Sequence, residues 1–360
     1  MAHTMKTYRR RARRKSFRVK LPPCRPMSEQ ERLIYEWSYS KFSVFLNCPL
    51  QFWMKYVLRV PEGPQPVIRV VGQALHRHAR RFFEDRFQSA QTFADAWVGY
   101  WLGVVKGEHG PDGFNHKPVP IAWADPEKEE QHWIGRGVLY SKDFFTRNID
   151  LREHRVVRLQ EQDFRIDWGQ FRLTGKIDRL DEHDDHATLT DYKMRRYPAY
   201  ELDMLDQAMF YIIAYRQVFQ PHIFHGKELN AVRLETFGTW RENAYQQVTI
   251  PDRAEEEMFY ETLTRASTDL WALVNGKALP QETQSRLSTY PRRNSNGLPV
   301  LWPRLPRDKH CEYCDFIPQC IDWVRQHLNN REPNARFELL QHRAAERRAS
   351  MATQEEFPLF

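Results

Sequence analysis

Two stretches of strand-like alternation joined by a short polar loop constrain this chain more than any other feature. From Trp168 onward, Phe171, Leu173, Gly175 and Ile177 alternate with Arg172, Thr174, Lys176 and Asp178. A period of two places the two sets on opposite faces of a strand. The polar loop Asp181 to His186 then leads into a second run, Ala187 to Met194. A hairpin is expected, with Asp178 ending its first strand and Asp191 inside its second. Elsewhere the period is helical. Glu29 to Tyr56 carries Ser38 and Ser40 before Phe42, Phe45 and Leu46, and a second helix is expected over Val70 to Phe87. Gln91 to Asn148 is rich in Trp, Gly and Pro and reads as helices broken by loops, without an interpretable motif. Alternation begins near Val156. Beyond the hairpin, a helix over Leu202 to Phe219 precedes strands near Ala231 to Phe237 and Tyr245 to Ile250, and a last helix runs from Asp252 to about Val274. The order is mixed α and β, without repeats.

Charge is unevenly placed. The pI is near 9.1, but nine Lys or Arg residues lie between Lys6 and Lys20, and no acidic residue precedes Glu29. Without those nine cations the net charge falls from +7 to −2, so the pI alone does not argue for a nucleic-acid groove. The arm itself, residues 1–28, can contact phosphates or remain a solvated, disordered tail. A mean hydropathy of −0.72 describes a soluble protein, and a cytoplasmic location in a bacterial or phage-like context is expected. No apolar run is long enough for a membrane helix, and the basic start is not followed by the apolar segment of a secretory signal.

Asp191 and Lys193 are two apart, so on a strand they share a face. Two carboxylates beside a lysine are what metal-assisted phosphodiester hydrolysis requires. Hard oxygen ligands hold Mg²⁺ or Mn²⁺, the cation activates water, and the ammonium offsets charge building on phosphorus. The pair alone is weak support, because acids at strand ends are usually solvated.

The wider context is more specific. Leu173-Thr174-Gly175-Lys176-Ile177-Asp178-Arg179-Leu180, followed by Leu189-Thr190-Asp191-Tyr192-Lys193, resembles the RecB-like branch of the PD-(D/E)XK nucleases, with its G-x-x-D strand and its D-x-K strand. Gly72 to His76 is similar to the G-x-x-x-H helix of that branch, and Gln207 with Tyr211 to its Q-x-x-x-Y helix. The resemblance implies a restriction-endonuclease-like α/β core, a mixed central sheet flanked by helices, spanning residues 29–330. A helical insertion over residues 90–150 and a C-terminal helix and tail over residues 331–360 complete the expected organisation. It further implies His76, Asp178, Asp191 and the Tyr192 carbonyl as metal ligands, with Lys193 orienting the attacking water. Gln207 and Tyr211 would position the scissile strand. Glu161 stands where that branch often has an acid, and joins only as a doubtful outer member.

Five cysteines, an odd number, argue against a disulfide framework. Cys311, Cys314 and Cys320 form C-x2-C-x5-C, and Cys48 stands far upstream in Cys48-Pro49-Leu50-Gln51-Phe52. Four thiolates suit a 4Fe-4S cluster or structural zinc. One N-terminal cysteine with a C-terminal trio resembles the iron–sulfur members of the same branch, such as the CRISPR-associated exonuclease and the nuclease module of the AddAB helicase–nuclease. That resemblance favours the cluster and implies a clamp joining both ends of the domain. Cys24 lies outside the pattern.

The resemblance implies a deoxyribonuclease acting as an exonuclease on single-stranded ends, in recombination, repair, replication or CRISPR-type DNA capture. The alternative is a nuclease-derived iron–sulfur scaffold that binds DNA for a helicase or capture complex. No G-x-x-x-x-G-K-[S/T] loop occurs, so any helicase motor would come from a partner. The ending Gln354-Glu355-Glu356-Phe357-Pro358-Leu359-Phe360 resembles the peptides that dock on bacterial sliding clamps.

Overall fold

The computed structural model describes residues 23–84, 87–106, 121–123, 125–154, 156–194, 201–237, 245–248 and 250–275, together with positions 314, 316, 319 and 320. Most of the basic arm, Cys311 and the C-terminal tail with Phe357, Leu359 and Phe360 lie outside the described residues.

The expected helix over Glu29 to Tyr56 is broken. Helix α1 (Glu29–Tyr35) starts on a capping box in which Ser28 Oγ accepts from Glu31 N and Ser28 N donates to the Glu31 carboxylate. It gives way to a two-residue strand β1 (Glu36–Trp37), which pairs in parallel with a central strand. Burial explains the break: Trp37 is fully enclosed, and its Nε1 donates to Ser267 Oγ at 2.8 Å. Ser38 caps α2 (Tyr39–Asn47), and Cys48 both ends α2 and caps α3 (Pro49–Phe52), which continues as a π-helical turn over Trp53–Val57. Then follow β2 (Gln65–Pro66), α4 (Val67–Glu84), α5 (Ala90–Lys106), β3 (Ile121–Ala122) and α6 (Pro126–Glu153).

Strands β4 (Val157–Trp168), β5 (Phe171–Glu182) and β6 (His186–Met194) form an antiparallel meander. Helix α7 (Glu201–Ala214), a π-helical turn over Tyr215–Phe219 and α8 (Gln220–His222) cross over to β7 (Glu228–Phe237), which pairs in parallel with β6. The chain returns through β8 (Tyr245–Val248) into α9 (Arg253–Asn275). The result is the expected mixed sheet, six-stranded among the described residues and flanked by helices. One helical layer, from α2, α7 and α9, covers it with Phe42, Phe45, Phe210, Phe259 and their neighbours. The other, from α4, α5 and α6, brings Phe82, Phe93, Trp97, Trp101 and Phe144 against Tyr192 and Phe237. The Trp-rich stretch therefore forms one wall of the core.

Two further expectations change. Asp178 does not end its strand, because β5 runs on to Glu182 and pairs with β4 as far as Asp181. The arm does not stay clear of the body as far as residue 28. Arg25 N donates to Asp167 at 2.7 Å, Arg25 Nη2 to Gln170 O at 2.5 Å, and Cys24 Sγ to Arg165 O at 3.2 Å. Among the described residues no helix is long and apolar enough to cross a membrane.

Candidate metal centre

The centre lies where the sheet opens. One edge of β5 pairs with β1 at Arg172–Leu173 and with β6 only from Arg179 to Glu182. Beyond Arg179↔Thr190 the two strands part, and β6 continues against β7. Asp178 sits at the fork. Its carboxylate replaces the lost ladder, with Oδ2 accepting from Tyr192 N at 2.7 Å. Gly175, three residues earlier, is needed for packing: a Cβ there would meet the Phe164 ring at 2.6 Å, and that ring packs edge-on against Tyr211. Space makes no such demand at Gly72, where a Cβ would meet Met194 Cβ at an ordinary 3.9 Å.

His76 reaches the fork from α4, with Nδ1 3.3 Å from Asp178 Oδ1 and 3.9 Å from Glu161 Oε1. Glu161 reaches it from β4 and is the residue whose place the sequence left most doubtful. Its neighbours pair as Gln160↔Arg179 and Gln162↔Ile177, which sets Glu161 across from Asp178. Its backbone adopts φ +47°, a left-handed conformation uncommon for a non-glycine residue, in a strand whose register against β5 also shifts between Val157 and Leu159. One ligand atom each from His76, Glu161 and Asp178 falls within a sphere of mutual distances below 4.8 Å.

Asp191 is held from the other helical layer. Its Oδ1 accepts from Gln207 Nε2 at 3.0 Å and from the Tyr211 hydroxyl at 3.1 Å. Lys193 Nζ lies 2.6 Å from Asp191 Oδ2 and donates to Gln207 Oε1 at 2.7 Å, while Gln207 Nε2 also donates to Tyr211 Oη at 2.7 Å. The four-residue spacing of Gln207 and Tyr211 thus delivers two donors to one carboxylate. In this structure both side chains orient the centre's own acid and lysine. Tyr192 contributes its N–H, and its ring is buried behind the fork, 5.7 Å edge-on from the His76 ring.

The electrostatics are those of carboxylates short of positive charge. Burial raises Asp191, and Asp178 adds to this against the pull of Lys193. Burial also raises Glu161, again with Asp178 adding to it. Burial opposes ionisation of Asp178 too, but His76 and the Tyr192 N–H outweigh it and hold that acid low. Burial would depress His76, yet the surrounding carboxylates push it up to about 9. Glu161 Oε1 is buried without a hydrogen-bond partner. Asp191 Oδ2 is met by the Lys193 ammonium at 2.6 Å. A buried orphan carboxylate oxygen is costly unless a cation meets it, and the Glu161 and Asp178 oxygens with the His76 imidazole suit a hard divalent ion.

Behind the fork lies a group of residues that the motifs did not include. Arg179, fully buried, donates to Asp181, Asn148, Tyr192 Oη, Glu235 and Thr190 at 2.8–3.2 Å. Arg147 and Asn148 of α6 each reach Glu235 Oε1 at 2.7 Å. The signal available in the sequence was Asp178-Arg179-Leu180-Asp181, three charges in a strand whose context demanded burial. Lys176, whose Nζ is 3.3 Å from Glu161 Oε2, is also new to the site.

Three of the four patterned cysteines converge elsewhere. Cys48, Cys314 and Cys320 pack against one apolar cluster of Leu50, Met54 and Phe316, and Cys48 Sγ accepts from Gln51 N at 3.4 Å. The fourth, Cys311, is outside the described residues. Cys24 does not join them.

A family model described as the PD-(D/E)XK nuclease superfamily matches residues 36–321. Two proteins from strains of Streptococcus equi subsp. zooepidemicus, each named as a subunit of an ATP-dependent helicase/deoxyribonuclease, are 29% identical over 160 residues. The match takes in 43% of this chain but only 14% of the length of those relatives.

Proposed function

The chain belongs to the PD-(D/E)XK nuclease superfamily, and from that premise we propose that it is a Mg²⁺- or Mn²⁺-dependent deoxyribonuclease acting as an exonuclease on single-stranded ends. The observation that carries this reading is the meeting of His76, Glu161 and Asp178 where β5 parts from β6, with the Asp191–Lys193 pair on the neighbouring strand β6. His76, Glu161, Asp178 and Asp191, with the Tyr192 carbonyl, would hold the cation. When bound, it polarises a phosphoryl oxygen and lowers the pKa of coordinated water. The protein's own part begins with Gln207 and Tyr211, whose hydrogen bonds favour the ionised form of Asp191. Asp191 and Gln207 hold the Lys193 ammonium beside the acids, where it can orient water and offset charge developing on phosphate.

The cysteines would hold a 4Fe-4S cluster through Cys48, Cys311, Cys314 and Cys320. The shared apolar seat of three of them fits such a group, which would contribute to folding by joining distant parts of the chain. The names of the streptococcal relatives support a helicase as working partner, and the setting proposed for the pair is DNA repair or recombination.

The test is purified protein with Mn²⁺ and end-labelled single-stranded DNA. Asp178→Ala, Asp191→Ala and Lys193→Ala are each expected to abolish cleavage while the circular dichroism spectrum stays that of the wild type. Wild-type turnover by any of them refutes the site.

A further inference from the structure

The exposed face of α4 is basic, and His76 lies in its middle. At about 100° per residue, Arg69, Gln73, His76 and Arg80 fall within roughly 60° of one another, with Arg77 at the margin. The opposite face, with Val70, Val71, Ala74, Leu75, His78 and Phe82, is buried in the core. Arg77 and Gln73 are exposed, and Arg77 has no ion pair among the described residues. Arg69 is about half exposed and 3.7 Å from Glu62, which itself pairs with Lys55 at 2.9 Å. Arg80 pairs with Glu84, one turn on, at 2.8 Å. Exposed pairs of this kind are weak and exchange readily for another anion. Lys176, on β5, stands beside the same centre, bound to one oxygen of Glu161 while His76 approaches the other.

We propose that this face of α4 is a track for the sugar–phosphate backbone of a DNA strand, leading it across the metal centre. The inference rests on the nuclease reading and adds to it where the strand lies. Charge complementarity supports the occupant, since guanidinium groups suit phosphate oxygens and the body away from the arm carries no excess of positive charge. Continuity supports the direction, because the residue at the centre of the track is also the one that meets Asp178. Arg69 to Arg80 spans about 16 Å at the helical rise. That accommodates roughly five stacked nucleotides at about 3.4 Å per residue of a strand, enough for three arginines to meet separate phosphates.

The experiment measures binding of a fluorescent single-stranded oligonucleotide against salt concentration, with the full chain carrying Lys193→Ala so that DNA is not consumed. Each neutralised phosphate contributes about 0.7 to the slope of log affinity against log salt. Arg69→Gln/Arg77→Gln/Arg80→Gln is expected to make the slope shallower by about 2, and Arg77→Gln alone by about 0.7. Arg253→Gln/Arg265→Gln on α9 serves as the control for net charge and is expected to leave the slope unchanged. It is compared with Arg77→Gln/Arg80→Gln, which removes as many charges from α4. An unchanged slope in the triple variant, or an equal loss in the control, overturns the track even where the wild type cleaves DNA. A wild type that neither binds nor cleaves DNA overturns the nuclease reading and the track together.

Discussion

Replacing Tyr211 with Phe separates two roles that the same residue could play. The phenolic hydroxyl is buried and donates to Asp191 Oδ1 at 3.1 Å, so the substitution removes one of the hydrogen bonds that favour the ionised carboxylate. A hydrogen bond to a charged group contributes about 1.5–3 kcal/mol, roughly 10- to 150-fold in any equilibrium that needs Asp191 ionised. Metal binding is such an equilibrium. The sign follows from proton competition: burial already raises Asp191, losing a donor raises it further, and the protonated acid does not bind a cation. Tyr211→Phe is therefore expected to weaken Mn²⁺ binding without DNA by up to about 10- to 100-fold at acidic pH, where the protonated acid competes with the cation, and by progressively less as pH rises. Gln207→Leu is expected to cost more, because Gln207 also accepts from Lys193 and donates to Tyr211. The double variant should lose less than the sum, since the two side chains share a hydrogen bond. Calorimetric Mn²⁺ titration at several pH values, beside single-turnover cleavage at saturating metal, reads both effects. Metal affinity within twofold of wild type, with turnover collapsed, would contradict this role and return both residues to the substrate.

Arg179→Met leaves Asp181 and Glu235 buried with fewer partners and is expected to cost about 3–5 kcal/mol in denaturant unfolding, as when one member of a buried pair is removed; a loss below about 1 kcal/mol counts against the network. Anaerobically purified wild type should be brown and contain iron, and Cys48→Ala or Cys314→Ala should lose both, together with thermal stability; stoichiometric zinc in a colourless wild type would reverse the cofactor assignment. Lys41, whose Nζ donates to the carbonyls of Arg32, Leu33 and Glu36, is held at about 7 by burial, against the opposing pull of Glu36. Above pH 7 the unfolded chain binds the proton that the folded one releases, so wild-type stability should rise relative to Lys41→Met by up to about 1.4 kcal/mol per pH unit toward pH 10. A flat difference between the two would show that the three carbonyls keep the ammonium charged.

Relations that depend on short-range spacing were legible from the residues alone. The period of two marks β5 and β6, and the polar loop marks their turn. Two-residue spacing puts Asp191 and Lys193 together, and four-residue spacing does the same for Gln207 and Tyr211. Those relations are properties of one strand or one helix, and so survive without knowledge of the rest. The break at Glu36–Trp37 was not legible, because two residues carry no period and their extended backbone is set by pairing with β5. Nor was the parting of β5 from β6, which turns Asp178 from a strand end into the apex of a fork. Glu161 enters the centre through cross-strand register and a left-handed backbone, neither of which its neighbours in sequence encode. Asn148 comes to Arg179 from a stretch without any motif, because α6 packs over the sheet. Which side chains are buried together depends on packing between elements far apart in the chain. Burial is what makes a group of ordinary acids hold their charge at a cost and so call for a cation.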